Sequence, residues 1–506
     1  MLIRSRCLPL LLPLSAALVL SGCASYTPTP LKQADLAAAS RADRQRAQQD
    51  VVPLQGPLSL DEAVARALKY NLARRTRLME ESLAQGQLEV GAYDMLPKLV
   101  ASAGYRERDK DLITRSKDSV TGRPSLANPY ISSDRDAVTT DLSFTWSLLD
   151  FGQSYYATQQ NADRVLIAAE HRRKAMHNLI QDVRTAFWRA VSAQKLQGKV
   201  QAGLSAAEAA LADSRKAEAE RLRNPLDALR YQRQVLENVR LLEAVSQELS
   251  TARLELAALV NLPLVQDFTV SEPAETAAAA WHSMPVEQLE EFAIANNAEL
   301  RESFYNARIA SAESRRALLK LFPGLSFSYG PKHSNDSYLI NQTWRETGAQ
   351  ISFNLLGLLS APSQMRLADA GVAVADQRRV MTQMALLAQV HIARLQYGNA
   401  LRQFERANTI WQLDSSIAQH VANAQQAQTQ TQLELVSNQT TALLSELRRF
   451  QALAQLHAAT GKLQATLGLE PAVSASADLP LDQLTAAVGS SMRQWEAGQL
   501  PAVSAQ

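Results

Sequence analysis

The stretch Leu142–Gly152, LSFTWSLLDFG, alternates between two kinds of side chain. Leu142, Phe144, Trp146 and Leu148 are large and apolar, whereas the residues between them are small and hydroxylated. Because successive side chains of a β-strand point to opposite faces, this stretch predicts a strand with one apolar and one polar face. Such a strand is unexpected here, because abundant alanine with few glycines and prolines favours long helices.

The pattern around this strand occurs twice. Ser59-Leu60-Asp61-Glu62 has the S-x-x-E form of a capping box and opens a helical pattern through Asn71 to Leu96-Pro97. The same pattern recurs about 226 residues later, where Asn297 and Phe322-Pro323 take the corresponding positions. Apolar alternation predicts four strands in the chain, at about 98–106, 139–148, 324–331 and 348–356.

A long helix follows each strand pair. From Gln153 to about Glu220 the pattern predicts a helix of roughly 100 Å, at ~1.5 Å per residue. Its apolar residues recur at spacings of three and four, which is a heptad seam that needs a partner helix. A second helix is predicted to return from Leu226 to Leu262. Each half therefore reads helix, strand, loop, strand, long helix, turn, long helix, and the fold class is mainly α with a small β part.

These patterns divide the chain into six segments. Residues 264–283 form a linker between the halves, and the flanking segments have weaker patterns. The predicted segments are a signal peptide at 1–22, a tether at 23–57, a first repeat at 58–263, the linker at 264–283, a second repeat at 284–470 and a C-terminal segment at 471–506.

The start of the chain is typical of an export signal. Arg4 and Arg6 precede an apolar run that ends near Leu20, and this run is too short for a membrane helix, which needs roughly 20 residues. Leu20-Ser21-Gly22-Cys23 resembles the bacterial lipobox, in which cleavage leaves an acylated cysteine. Cys23 is therefore the predicted lipidation site, and Ala24 implies sorting to the outer membrane. The alternative is a chance cysteine in an ordinary signal.

Composition and motifs argue against several functional classes. The net charge of +2 comes from interleaved basic and acidic residues, which gives no reason to expect nucleic acid. Ser192-Ala193-Gln194-Lys195 matches S-x-x-K, but no S-D-N or K-T-G accompanies it. The seven histidines are scattered, and no phosphate-binding glycine loop occurs. We therefore expect no catalytic site, no metal site and no cofactor.

The two-faced strands raise the question of their partners. In lipid, every backbone donor and acceptor must be paired, so strands span a membrane only as a closed barrel. Outer-membrane barrels begin at eight strands, so four strands would have to be shared between copies of the chain. With the apolar faces toward lipid, the predicted lumen-facing residues are Ser143, Thr145, Ser326, Ser328 and Asn354.

Over about residues 58–470, the sequence resembles the TolC-like outer membrane efflux proteins, specifically their lipoprotein branch. The resemblance rests on the twofold repeat, on Trp146–Gly152 leading from strand to helix, and on Leu226-Asp227 and Leu433-Glu434 after the turns. It implies a homotrimer whose four strands per chain form a shared barrel of twelve, continued by a periplasmic helical barrel. It also implies a passive conduit that works with a periplasmic adaptor (membrane fusion) protein and an inner-membrane RND or ABC transporter.

The resemblance also assigns roles near the two turns. The adaptor-contacting tips would include residues of both turns, although neither turn has the glycine usual in the family. Asp227 and Glu434 are candidate periplasmic gate residues, with helix N-terminal carboxylates stabilised by the helix dipole as the alternative. The candidate tip residues are Arg223, Asn224, Pro225, Leu226, Thr431, Gln432 and Leu433.

A second hypothesis comes from a different class. The chain would be a non-channel helical periplasmic lipoprotein, a scaffold or tether whose strand pairs cap a coiled-coil stack. The alternation at 142–148 and 325–330 argues against it, because a scaffold has no need for aromatic residues on one face and hydroxyls on the other. The sequence leaves the transported substrate and the pump class open.

Overall fold

The computed structural model of the chain describes residues 29–124, 128–220, 225–272, 280–427, 432–471 and 479–501. It separates into two compact units, residues 1–51 and 52–506. The first unit contains helix α1 (Gln33–Gln48), none of whose described residues is buried.

The first half of the second unit has the predicted order of elements. Two helices precede the first strand, a polar connection with a small hairpin separates the long strands, and a long helix and two shorter ones follow. In order, the elements are α2 (Leu60–Tyr70), α3 (Leu72–Tyr93), β1 (Lys98–Glu107), β2 (Ile113–Thr114), β3 (Tyr130–Ile131), β4 (Asp136–Ser147), α4 (Leu148–Ala219), α5 (Pro225–Ser250) and α6 (Ala252–Leu259).

The second half has the same order, with a shorter connection between its strands and a single return helix. A last helix closes the chain. The elements are α7 (Ala280–Ser283), α8 (Val286–Asn296), α9 (Ala298–Leu319), β5 (Gly324–Ser334), β6 (Thr343–Ser352), α10 (Gly357–Gln426), α11 (Gln432–Leu467) and α12 (Leu481–Glu496). No helix in the described ranges has both the length and the apolar character needed to cross a membrane.

The continuous helix expected from Ser59 through Asn71 is two helices. The Ser59 hydroxyl accepts a hydrogen bond from the Glu62 amide, 3.1 Å, as the capping box predicts. At Asn71 the backbone is extended, and its side chain accepts from the Arg74 amide and donates to the Leu259 carbonyl. Asn71 thus ends one helix and caps the next, which is a common use of asparagine.

Asn297 does the same in the second half. Its side chain accepts from the Leu300 amide, 3.1 Å, and donates to the Thr466 carbonyl, 3.0 Å. The return helices also end alike, since Asn261 and Gly468 both have positive φ, 57° and 73°. A residue in the left-handed backbone conformation at this position ends a helix with a Schellman motif.

The long helices are confirmed with different limits. Helix α4 begins at Leu148 rather than near Gln153 and runs for 72 residues, about 110 Å at ~1.5 Å per residue. The Ser147 hydroxyl caps it by accepting from the Asp150 amide, so the strand passes directly into the helix. The return helix expected from Leu226 to Leu262 is interrupted at Thr251.

The four long strands form one antiparallel sheet in the order β1-β4-β5-β6. The hairpins β1-β4 and β5-β6 lie side by side, because β4 pairs with β5 at the centre. Strands β1 and β6 are therefore the two edges of the sheet. The hydrophobic core lies elsewhere, among helices of both halves and the last helix. Trp188 on α4 and Trp281 on α7 are at most 1% exposed there.

Candidate functional site

The register of the sheet brings the alternating residues of all four strands into common rows. Phe144 lies opposite Leu99 on one side and Tyr329 on the other, and Trp146 lies opposite Phe327. One face of the sheet therefore collects large apolar side chains, and we call it the apolar sheet face. Its members that are at least 40% exposed are Leu99, Tyr105, Val138, Leu142, Phe144, Phe327, Tyr329 and Ile351.

Exposed apolar surface of this extent has a meaning. A soluble monomer rarely exposes a contiguous apolar patch larger than a few hundred Å², and larger patches mark membrane or protein contacts. Among the described residues, eight large side chains of the apolar sheet face are at least 40% exposed. Such a surface is typical of a membrane or protein contact.

The opposite face, the polar sheet face, carries four of the five residues predicted to face a lumen. Ser143 and Thr145 alternate with the apolar residues of β4, and Ser326 and Ser328 do so on β5. Thr145 lies directly opposite Ser328, and the Ser143 and Thr145 hydroxyls are 3.4 Å apart. These four hydroxyl residues therefore share one surface, whatever that surface meets.

The fifth predicted residue, Asn354, does not lie on a strand. Strand β6 covers 343–352 instead of about 348–356, so it ends two residues before Asn354. The Asn354 side chain accepts a hydrogen bond from the Gly357 amide, 3.1 Å, at the start of α10. The expected strand end is wrong because the strand ends at Ser352, and the Asn354 side chain instead holds the turn Leu355-Leu356 that leads into α10.

Sequence reasoning missed the position of Trp344. It pairs with Lys332 in the register and so belongs to the polar sheet face. Its indole N–H donates to Glu346, 3.3 Å, and Lys332 forms an ion pair with the same carboxylate, 3.0 Å. The alternation of apolar residues could have found this, since Trp344 is out of phase with Ile351.

Sequence reasoning also missed that position 330 requires a glycine. A Cβ atom at this position would lie 2.0 Å from the Leu142 carbonyl oxygen. Real Cβ atoms do not approach a carbonyl so closely, so only glycine fits where β5 crosses close to β4. The Gly330-Pro331 pair in a strand sequence is the signal that could have indicated this junction.

The predicted tips fall partly outside the described residues. Arg223, Asn224 and Thr431 lie outside them, as does Cys23, the predicted lipidation site. Pro225 and Leu226 are exposed at the start of α5, and Gln432 and Leu433 begin α11.

The two candidate gate carboxylates occupy matching places. Asp227 is in the first turn of α5, 3.6 Å from Arg230, with both side chains largely exposed. Glu434 is in the first turn of α11 and is also exposed. Carboxylates at these positions stabilise a helix N-terminus by about 0.3 to 1 kcal/mol, and their role in a gate stays a prediction.

The S-x-x-K motif lies within α4. Ser192 is buried, whereas Lys195 forms an ion pair with Glu272, 2.6 Å. Across the described ranges, no three His, Cys, Asp or Glu side chains are grouped so that they could hold a metal ion.

A buried charged cluster was not anticipated. Arg184, on α4, is fully buried and donates to Gln464, 2.9 Å, while Glu496 on α12 lies 3.4 Å away. His457 is 3.4 Å from the same guanidinium and stacks on Trp188, with ring centroids 4.4 Å apart. The cluster ties α12 to the two central helices of the core.

Burial controls the protonation of this cluster. Burial, aided by the charge of Arg184, lowers the pKa of His457 to about 3, so its imidazole is neutral. Burial also raises the pKa of Glu496 and of Asp61, against the opposing effect of nearby arginines. No local sequence signal could have predicted this charged cluster, because its members are far apart along the chain.

Comparison with known proteins gives matches among solved structures. No protein-family model matches the sequence, and a search of curated proteins found no match. Solved structures do match. The CmeC outer membrane channel of Campylobacter jejuni has a TM-score of 0.64 at 11% identity, covering 88% of this chain and 90% of that one.

Two further solved structures are similar. The MtrE outer membrane channel of Neisseria gonorrhoeae, in its open state, has a TM-score of 0.61 at 15% identity, covering 81% of this chain and 88% of that one. The outer membrane protein VceC of Vibrio cholerae has a TM-score of 0.59 at 15% identity, with 81% and 96% covered. At such low identity the likeness concerns the fold, and this chain has the fold of the TolC-like outer-membrane factors.

Proposed function

We propose that the chain is the outer-membrane channel component of a tripartite efflux or type I secretion system. The single observation that carries the proposal is the two-faced sheet, exposed and apolar on one side and hydroxyl-rich on the other. The fold likeness to outer-membrane channels supports it. The channel is a passive conduit, because the sequence has no phosphate-binding glycine loop with which to use a nucleotide.

The sheet edges support sharing between copies. Strand β1 pairs only with β4, and β6 only with β5, among the described residues. An unpaired strand edge facing hydrocarbon costs several kcal/mol for each unsatisfied group, so the edges need partners. Three copies bring twelve strands into one barrel, with the apolar sheet face toward outer-membrane lipid and the polar sheet face toward the lumen.

The long helices extend this conduit away from the membrane. At about 110 Å, α4 is long enough to reach far into the periplasm, with the turns before Asp227 and Glu434 at the far end. There the turns meet an adaptor protein, which couples the conduit to an RND or ABC transporter that supplies the energy. Cys23 carries the acyl anchor, so the chain belongs to the outer membrane with a long periplasmic extension.

The test is conductance. Purified protein in a planar bilayer should give ohmic single-channel steps, and detergent-extracted protein should show heat-modifiable mobility. The scaffold hypothesis predicts neither. A protein that forms stable multimers in detergent and yet never conducts would overturn the proposal.

A second test concerns the tips. The only natural cysteines are Cys7, which leaves with the signal, and Cys23, so introduced thiols would be the sole free ones. The double variant Asn224→Cys with Gln432→Cys should block export when oxidised, because locked tips cannot rearrange. Adding a reductant to the same variant should restore export. Undiminished export in the crosslinked protein would contradict a moving tip.

A further inference from the structure

The polar sheet face changes its chemistry along the strands. Close to the start of α4, its two central strands present only hydroxyls, since Thr145 lies opposite Ser328 and Ser147 lies opposite Ser326. Further from the helix, the register joins one residue from each of the four strands into a single line across the sheet. This line, which we call the charged row, consists of Ser102, Asp141, Lys332 and Trp344.

The charged row belongs to the polar sheet face on all four strands. Asp141 is two residues from Ser143, and Lys332 is four residues from Ser328. Residues at even spacing along a strand share a face. The direct pairing of Asp141 with Ser102 and of Lys332 with Trp344 extends the same face to both outer strands.

The charges at this row do not cancel. The Lys332 ammonium forms an ion pair with Glu346, 3.0 Å, and the Trp344 indole N–H donates to the same carboxylate, 3.3 Å. Asp141 accepts a hydrogen bond from the Ser102 hydroxyl, which is a neutral donor. Among the described residues, Lys332 thus pairs with Glu346 and not with Asp141, its direct neighbour in the row. One carboxylate, that of Asp141, is left without a compensating cation.

Other charges on this face are remote from Asp141. On the four long strands they are Arg106 and Lys98, each four residues from Ser102 along β1. Four residues span about 13 Å at ~3.3 Å per residue. The Debye length is about 8 Å at physiological ionic strength, so the solution largely screens both cations at the charged row. The local field there is therefore that of Asp141.

Resting on the proposed function, we propose that the charged row is the selectivity-determining site of the conduit and favours cationic solutes over anionic ones. In that function the polar sheet face lines the lumen, so every copy of the chain contributes one uncompensated carboxylate at the same depth. A cation that passes the row is attracted and an anion is repelled. Asp141 sets the sign of this preference.

Trp344 directs the preference toward organic cations. Neighbouring strands are about 4.8 Å apart, which places Asp141 on β4 and Trp344 on β6 roughly 10 Å from each other. The indole of Trp344 is 36% exposed, so part of its ring is open to a solute. An organic cation with an aromatic body reaches both the carboxylate and the indole, whereas a small inorganic cation reaches only one of them.

The reversal potential of single channels in a KCl gradient tests the role of Asp141. Asp141→Asn should lower the ratio of potassium to chloride permeability at least about two-fold near 0.01 M salt, where the Debye length is about 30 Å. The difference from the wild type should nearly vanish near 1 M, where this length is about 3 Å. Asp141→Glu should retain the cation preference, and Asp141→Lys should reverse it.

Asp136→Asn is the matched control. Asp136 lies on the same strand and loses the same charge in this variant, but it is an odd number of residues from Asp141 and so has the orientation of the apolar sheet face. It pairs with Glu107 at the far end of β1. The permeability ratio of this variant should equal that of the wild type.

Block by organic cations tests Trp344. Tetraphenylphosphonium has an aromatic body and tetramethylammonium does not. Trp344→Leu should raise the half-blocking concentration of tetraphenylphosphonium at least about three-fold and that of tetramethylammonium less, because only the first cation contacts the ring. Trp344→Phe should retain most of the difference between the two blockers, since an aromatic face remains. Equal changes for both blockers in Trp344→Leu would overturn the role of the indole.

The outcomes also separate this proposal from the channel itself. Channels that conduct with the same permeability ratio in the wild type and in Asp141→Asn at low salt would overturn the charged row and leave the channel proposal standing. An equal loss in Asp136→Asn and Asp141→Asn would overturn the assignment to this face. A wild-type protein that never conducts would overturn both proposals.

Discussion

The chain places two similar pairs of aromatic residues in opposite environments. Phe187 and Trp188, on α4, are at most 1% exposed and lie in the helical core. Phe144 and Trp146, on β4, lie on the apolar sheet face, where Phe144 is 44% exposed. The helical core is completed by the chain's own helices, whereas the sheet turns its apolar side chains outward. Hydrophobic side chains therefore stabilise the fold in one region and are left exposed on a surface in the other.

Removal of the core tryptophan should have the largest effect on stability. We expect Trp188→Ala to lower the free energy of unfolding by about 3–5 kcal/mol, because it leaves a large cavity beneath His457. Denaturation followed by circular dichroism in detergent would measure this. Trp188→Phe should cost less, and Phe144→Ala should leave the helical transition nearly unchanged. A comparable loss for Phe144→Ala would contradict the assignment of the two regions.

The sheet face is tested by adjacent residues of opposite orientation. Phe144→Arg should disfavour membrane insertion by about 2–4 kcal/mol, the range for a cation on the lipid face of a barrel. Thr145→Arg, one residue further on the polar sheet face, is the control and should insert normally while altering ion selectivity. Heat-modifiable mobility and bilayer conductance report the two effects. If both variants insert equally well, the apolar sheet face does not contact lipid.

The pH dependence of the core should depend on His457. Its pKa is about 3 in the folded chain and about 6.5 when unfolded, so the unfolded state binds more protons between these values. The contribution of His457 is thus fully present above about pH 6.5. It falls as the pH is lowered toward 3, by up to about 1.4 kcal/mol per pH unit.

The comparison of wild type with His457→Gln isolates this effect. Asp61 and Glu496, whose raised pKa values act in the opposite direction, are present in both proteins and largely cancel. Unfolding free energies measured from pH 7 to pH 4 should converge for the two proteins as the pH falls. Parallel curves would rule out His457 as the source.

The smallest expected effect concerns the cap shared by the halves. Asn297→Ala should cost about 1 kcal/mol, because it removes the acceptor for the Leu300 amide. Asn71→Ala should cost a similar amount, since the same bond is lost to the Arg74 amide. Thermal melting of both variants would check this. A clear cost at only one site would show that the two caps are not equivalent.

Much of the architecture was accessible from the sequence. The alternation around Phe144 predicted a two-faced strand, and the Ser59 capping box and the uninterrupted helical pattern predicted where helices begin and how long they run. Errors arose at the ends of elements, at Asn71, Asn354 and Thr251. There a side-chain cap or a helix interruption competes with periodicity, which indicates the type of an element better than its ends.

Some residues of the candidate site could also be predicted from the sequence, and others could not. That Ser143, Thr145, Ser326 and Ser328 share one face could be predicted because they alternate with apolar residues along their own strands. Their role in a lumen stays a prediction. The requirement for glycine at position 330 could not be predicted, because it comes from the Leu142 carbonyl on a neighbouring strand. The residue type is visible in the sequence, but the close approach that demands it is not.

The sequence alone predicts the element types, their order in two similar halves and the side chains that share a face of each strand. These features depend on periodicity and on neighbours a few residues away. The pairing of β4 with β5 at the centre of the sheet is a feature of the three-dimensional fold that the sequence patterns did not predict. The fold also brings Asp61, Arg184, His457 and Glu496 into one buried cluster. Contacts between residues hundreds of positions apart depend on how whole elements pack, which no local pattern encodes.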